Sequence, residues 1–81
     1  MTKEWIKFIK KQPNHIAKFI YETVEKIVLG DTSHLNIVSI SGKDNMYRCR
    51  IGNIRIVFTD MNGEIEIKKI GYRGGVYKRI Q

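Results

Sequence analysis

The sequence predicts an α+β domain in which two N-terminal helices pack on one face of a small antiparallel sheet. Three observations carry that prediction. Apolar residues recur at helical spacing as far as Gly30. From Asn36 onward the period changes to two. Two hairpin dipeptides, Gly52-Asn53 and Asn62-Gly63, punctuate the alternating part.

In chain order, Thr2 is expected to cap a first helix bearing Trp5, Ile6, Phe8 and Ile9. Pro13 suits the first turn of a second helix, because its fixed φ is helical and its missing N–H would have no partner there. Ile16, Ile20, Val24, Ile27 and Val28 form the apolar stripe of that helix, with Ala17 and Phe19 at its margin. Gly30 can end it in a left-handed cap. Asn36 to Ile40 reads as a short strand, followed by a turn over Ser41 to Asn45. Met46 to Ile51, Ile54 to Asp60 and Glu64 to Ile70 read as the remaining strands. Gly52-Asn53 fits a type II′ turn and Asn62-Gly63 a type I′ turn. Ile65, Ile67 and Ile70 should all face the core, which breaks alternation and calls for a bulge near Lys68-Lys69.

With 81 residues, the chain has room for a single domain, 1–81, and one modest core. An apolar fraction of 42% argues against disorder. The net charge of +7, with a pI near 9.8, favours nucleic acid, the ribosome, an anionic membrane or an acidic protein as partner. No apolar run is long enough to span a bilayer, and the N-terminus enters an amphipathic pattern directly, so no signal peptide is expected. Cys49 is the single cysteine and cannot form an internal disulfide, which fits a reducing, cytoplasmic setting. No Cys/His spacing suggests zinc, and neither a metal, a cofactor nor a small-molecule ligand is expected. His15 and His34 read as surface residues and Trp5 as part of the core.

All the arginines lie in the second half: Arg48, Arg50, Arg55, Arg73 and Arg79. The planar guanidinium binds phosphate or carboxylate at two points, which an ammonium cannot do. A solvated basic face is the alternative. Strand geometry bears on the choice. A two-residue turn at Gly52-Asn53 pairs Ile51 with Ile54, Arg50 with Arg55, Cys49 with Ile56 and Tyr47 with Phe58. The apolar residues then agree on one face, while Arg48, Arg50 and Arg55 share the other, expected to be exposed. Like charges directly opposite one another destabilise a sheet, so an anion is expected between them. The final segment, Gly71-Tyr72-Arg73-Gly74-Gly75-Val76-Tyr77, sets an arginine between two tyrosines. It suits stacking on an unpaired base beside a phosphate, or a tight sheet exit with a packed tyrosine.

The run Tyr47-Arg48-Cys49-Arg50-Ile51-Gly52-Asn53-Ile54-Arg55-Ile56-Val57-Phe58, followed by Ile70-Gly71-Tyr72-Arg73 and Val76-Tyr77-Lys78, resembles the RelE/ParE toxin superfamily. The resemblance covers most of the chain. It implies the toxin of a toxin–antitoxin pair, with ribosome-dependent cleavage of mRNA by 2′-hydroxyl attack on the adjacent phosphate, without metal. It further implies a cognate antitoxin, the ribosome and mRNA as partners, and no membrane. By the resemblance, Arg50, Arg55, Arg73 and Tyr77 are candidate catalytic residues, and Arg48, Tyr72, Lys78 and Arg79 candidate RNA contacts. Arginine holds its proton too firmly to act as a general base, so Arg48 and Arg50 would clamp substrate where some relatives carry lysines. Tyr72 stands where many relatives place a histidine. The family usually opens with a short strand ahead of the first helix. This chain begins at the helix, so either that first strand is missing or the start is an alternative or truncated one. Two other readings are a ParE-like inhibitor of DNA gyrase and an inert basic module that binds nucleic acid or antitoxin.

Overall fold

Helical spacing gives two helices and alternation gives four strands. The computed structural model describes residues 3–72. Its elements are α1 (Glu4–Lys10), α2 (Asn14–Leu29), β1 (Asn36–Ser39), β2 (Met46–Ile51), β3 (Ile54–Met61) and β4 (Glu64–Tyr72). Among the described residues no strand precedes α1. Lys3 takes the N-cap position of α1 without a side-chain cap, and Thr2, the expected cap, lies outside the described residues. Pro13 is the N-cap of α2, one position before the first turn. Gly30 closes α2 at φ +81°. The Asp31 amide donates to the Lys26 carbonyl at 2.9 Å and the Gly30 amide to Ile27 at 3.1 Å, the paired bonds of a Schellman cap.

One expectation for α2 needs correcting. Val28 is half exposed, while Thr23 is buried. Thr23 lies three residues after Ile20 and four before Ile27, inside the buried stripe, whereas Val28 continues the row from Ile20 and Val24 off the core. The Thr23 hydroxyl donates to the Phe19 carbonyl at 2.9 Å, which satisfies it without a partner from another element.

The sheet is an antiparallel meander in the order β1-β2-β3-β4. The β2–β3 register is the one set by Gly52-Asn53, with Ile51 opposite Ile54, Arg50 opposite Arg55, Cys49 opposite Ile56 and Tyr47 opposite Phe58. Gly52 has φ +59° while Asn53 keeps a negative φ, as a type II′ turn requires. Asn62 and Gly63 are both positive, at +58° and +91°, as a type I′ turn requires. In β4, Ile67 pairs with Phe58 and Lys69 with Val57, so Lys68 is the extra residue of a bulge. That bulge lets both Ile67 and Ile70 reach the core.

The core joins Ile9, Ile20, Val24 and Ile27 of the helices to Cys49, Ile54, Ile56, Phe58, Ile67 and Ile70 of the sheet. Tyr47 and Phe58 stack at its margin, ring centroids 5.7 Å apart. Both helices therefore lie on one face of the sheet. Among the described residues no helix is long and apolar enough to cross a membrane.

Candidate nucleic-acid interface

The pairing register builds the open face in rows. Val38, Arg48, Val57 and Lys69 form one row across the four strands. Asn36, Arg50, Arg55 and Gly71 form the next. Neither row contains an Asp or a Glu. Arg48, Arg50 and Arg55 thus share a face.

That face is not uniformly exposed. Arg50 is exposed and Arg48 half-buried, but Arg55 retains only 5% of its accessible surface. The Arg55 guanidinium turns back over its own hairpin. Its Nη1 donates to the Gly52 carbonyl at 2.8 Å and to the Ile54 carbonyl at 3.2 Å. A two-residue turn brings the carbonyl three positions earlier within reach of the side chain, and a planar donor group can serve both oxygens. Val57, on the same face, is fully buried. The same face therefore holds a buried apolar residue and a buried guanidinium beside the exposed Arg50, and strand alternation alone did not reveal this. The available signal was the position of Arg55 directly after the turn, within side-chain reach of the Gly52 carbonyl.

Tyr72 is not brought together with the strand arginines. It pairs with Ile54 and so lies on the helix side of the sheet, with its ring edge-on to Phe8 at 5.3 Å. Its hydroxyl donates to Gln12 Oε1 at 2.7 Å. Arg73, Tyr77, Lys78 and Arg79 lie outside the described residues.

Two groups away from the arginine rows have displaced pKa values. Burial pushes the Cys49 thiol up to about 11. At neutral pH it is a protonated core group and not a nucleophile. The hydrogen bond from Lys68, at 2.9 Å, draws the Glu66 carboxyl below its ordinary value. That exposed pair occupies the acid of β4 closest to the bulge. Asp60 accepts from the Gly63 amide at 2.9 Å and serves the turn. His15 and His34 are both exposed at the surface.

The exposed Arg50 guanidinium, with the buried charge of Arg55 opposite it, can accept an anion on this face. Comparison with known proteins makes the class specific. No family model matches the chain. It is 33% identical over 80 residues to Toxin RelE3 of Methanocaldococcus jannaschii, a match covering 94% of this chain and 90% of that protein. It also resembles a solved RelB-RelE antitoxin–toxin complex from Methanococcus jannaschii, with a TM-score of 0.74 and 29% identity. That likeness covers 91% of this chain and 89% of the other. The chain belongs to the RelE toxin family.

Proposed function

We propose that this protein is the toxin of a toxin–antitoxin pair and acts as an endoribonuclease on ribosome-bound mRNA in the cytoplasm. The carrying observation is Arg50 directly opposite Arg55, in a row without a carboxylate. The exposed Arg50 can meet a phosphate directly, and the buried charge of Arg55 opposite it adds to the attraction without touching the ligand. In the cleavage step the 2′-oxygen forms a bond to the adjacent phosphorus and the bond to the 5′-oxygen breaks. The 2′-hydroxyl proton leaves to a base, and the departing oxygen takes up a proton.

Arg50 meets the scissile phosphate, and Arg48 the neighbouring backbone. Arg55 acts differently. Pinned to the Gly52 and Ile54 carbonyls, it supplies a fixed positive charge that needs no reorganisation as charge develops on phosphorus. By resemblance, Arg73 stabilises or protonates the leaving oxygen and Tyr77 orients the nucleotide, while Lys78 and Arg79 extend the basic rim. The partner is an antitoxin of the kind seen with the structurally similar toxin, its acidic or amphipathic segment covering this face.

The test is incubation with programmed ribosomes and mapping of mRNA ends. Wild type should cut the mRNA within the decoding site. Arg73→Ala should abolish cutting, since removing one such charge raises a barrier by about 2.7–4 kcal/mol. Cutting by Arg73→Ala at the wild-type rate would refute the mechanism. Absence of cutting by wild type, together with stalled gyrase, would replace it with inhibition of gyrase by binding.

A further inference from the structure

We propose that the groove between α1 and β4 is a second site for single-stranded RNA, holding backbone phosphate on Lys7, Lys11 and Lys69 and a base against Trp5. The groove has a volume of about 380 Å³ and is lined by Trp5, Phe8 and Ile70 together with these lysines and Glu4. Lys7 and Lys11 stand four apart, on one face of α1 and its C-cap. Lys69 enters from the sheet, half-buried. Cations near the end of a helix suit its dipole, which accounts for Lys7 and Lys11 but not for Lys69. Among the described residues none of the three forms an ion pair. Three cations and one carboxylate around aromatic surface leave a surplus of positive charge that suits a nucleotide.

The indole provides an independent pointer. Trp5 Nε1 is shut away from solvent and has no acceptor among the described residues. A buried donor left unmatched is unfavourable, so a rearrangement of the groove on binding that brought an RNA oxygen to it would relieve the deficit. Aromatic faces beside lysines also distinguish a nucleic acid from an acidic peptide, which has charge but no ring to stack.

Lys69 connects this groove to the open face. It shares a row with Arg48, across Val57. Two strand spacings separate their backbones, about 10 Å. A single strand crossing the sheet from Arg50 and Arg48 can therefore continue over the β4 edge onto α1. The proposal does not depend on cleavage; it requires only that RNA binds.

Trp5 is the sole tryptophan, so its fluorescence reports directly on the groove. The probe is hexauridylate, titrated into the intact protein at several salt concentrations. A saturable change in Trp5 emission is expected, with its midpoint moving to higher RNA concentration as salt rises. The double variant Lys7→Gln, Lys11→Gln should weaken the emission midpoint about tenfold. It should also lower the salt slope by about 1.4, at about 0.7 for each phosphate no longer neutralised. Arg50→Gln should leave a saturable Trp5 response. Unchanged far-ultraviolet dichroism verifies that each variant is folded. An emission unmoved at saturating RNA would overturn the site. So would a response lost in Arg50→Gln but intact in the lysine variant. A response to polyglutamate at the same concentration as to RNA would overturn it in favour of a protein-docking surface.

Discussion

Alternate residues of the same strands build two sheet faces that are stabilised by different means. On the helix side, Cys49, Ile54, Ile56 and Phe58 lose nearly all their accessible surface against α1 and α2. Their neighbours in sequence, Arg48, Arg50 and Arg55, lie on the other face, where Arg50 stands directly opposite Arg55. One face gains from burial in proportion to area, and the other sets two like charges opposite each other. Arg55 shows how the two are reconciled. Its burial is tolerated because two backbone carbonyls receive its hydrogens, so a charge on the arginine face is fixed by the hairpin that joins the two central strands.

Removing a methyl-rich side chain from the buried face should have the largest consequence. Ile56, fully buried at the centre of the sheet, is the sharpest choice. Ile56→Ala should lower the free energy of unfolding by about 2–5 kcal/mol, read from the urea midpoint. A domain of this size holds only about 4–12 kcal/mol in total, so partial unfolding at 37 °C is expected. A decrease below 1 kcal/mol would mean that the face is loosely packed and the contrast overstated.

The same face should reveal itself through pH. The Cys49 thiol is raised from 9.0 to about 11 by burial. Below pH 9 the folded and unfolded chains both hold the proton, and stability does not depend on this group. Between pH 9 and 11 the unfolded chain ionises while the folded chain does not. Stability therefore falls as pH rises, by about 2–3 kcal/mol across the window. Lysines and tyrosines titrate there too, so the measurement is the difference from Cys49→Ala, whose curve should lack this component. Parallel curves for the two proteins would place the thiol in contact with water.

Much of this fold could be read from the sequence because local signals agreed. The register followed from Gly52-Asn53 together with apolar partners that had to share a face. The bulge followed from Ile70 breaking the parity set by Ile65 and Ile67. The errors came where composition and burial diverge. Val28 is apolar but sits off the stripe, and Thr23 is polar but buried because its hydroxyl bonds within its own helix. Alternation assigned Arg55 to the correct face but could not give its depth, which depends on side-chain conformation and not on register. Tyr72 follows the same rule in reverse. Its sequence neighbours suggested a place beside the arginines, whereas its pairing with Ile54 puts it against Phe8.

Arg55 itself allows a test of intermediate size. Arg55→Ala should cost about 1–2 kcal/mol, because the Gly52 and Ile54 carbonyls lose a charged donor while the repulsion from Arg50 is relieved. Arg55→Lys keeps the charge but not the planar fork. It should recover part of the stability and little of the RNA cleavage, measured on the same preparations. Full recovery of both would show that charge alone matters at this position and that the hydrogen bonds to the hairpin are incidental.

The smallest expected change in stability separates the two faces most cleanly. Arg50 is exposed, stands opposite Arg55, and holds no position in the core. Arg50→Gln removes the like-charge pair and keeps a polar side chain of similar reach. Unfolding free energy should rise by about 0.2–1 kcal/mol, the range for a cross-strand pair. RNA binding and mRNA cleavage should fall at the same time. The increase in stability should shrink as salt is added, since screening already weakens the repulsion in the wild type. A residue whose removal strengthens the fold and weakens the activity is retained for its ligand. Should Arg50→Gln instead destabilise the protein while leaving cleavage untouched, the open face would be a structural surface like its opposite, and the arginine pair would need another explanation.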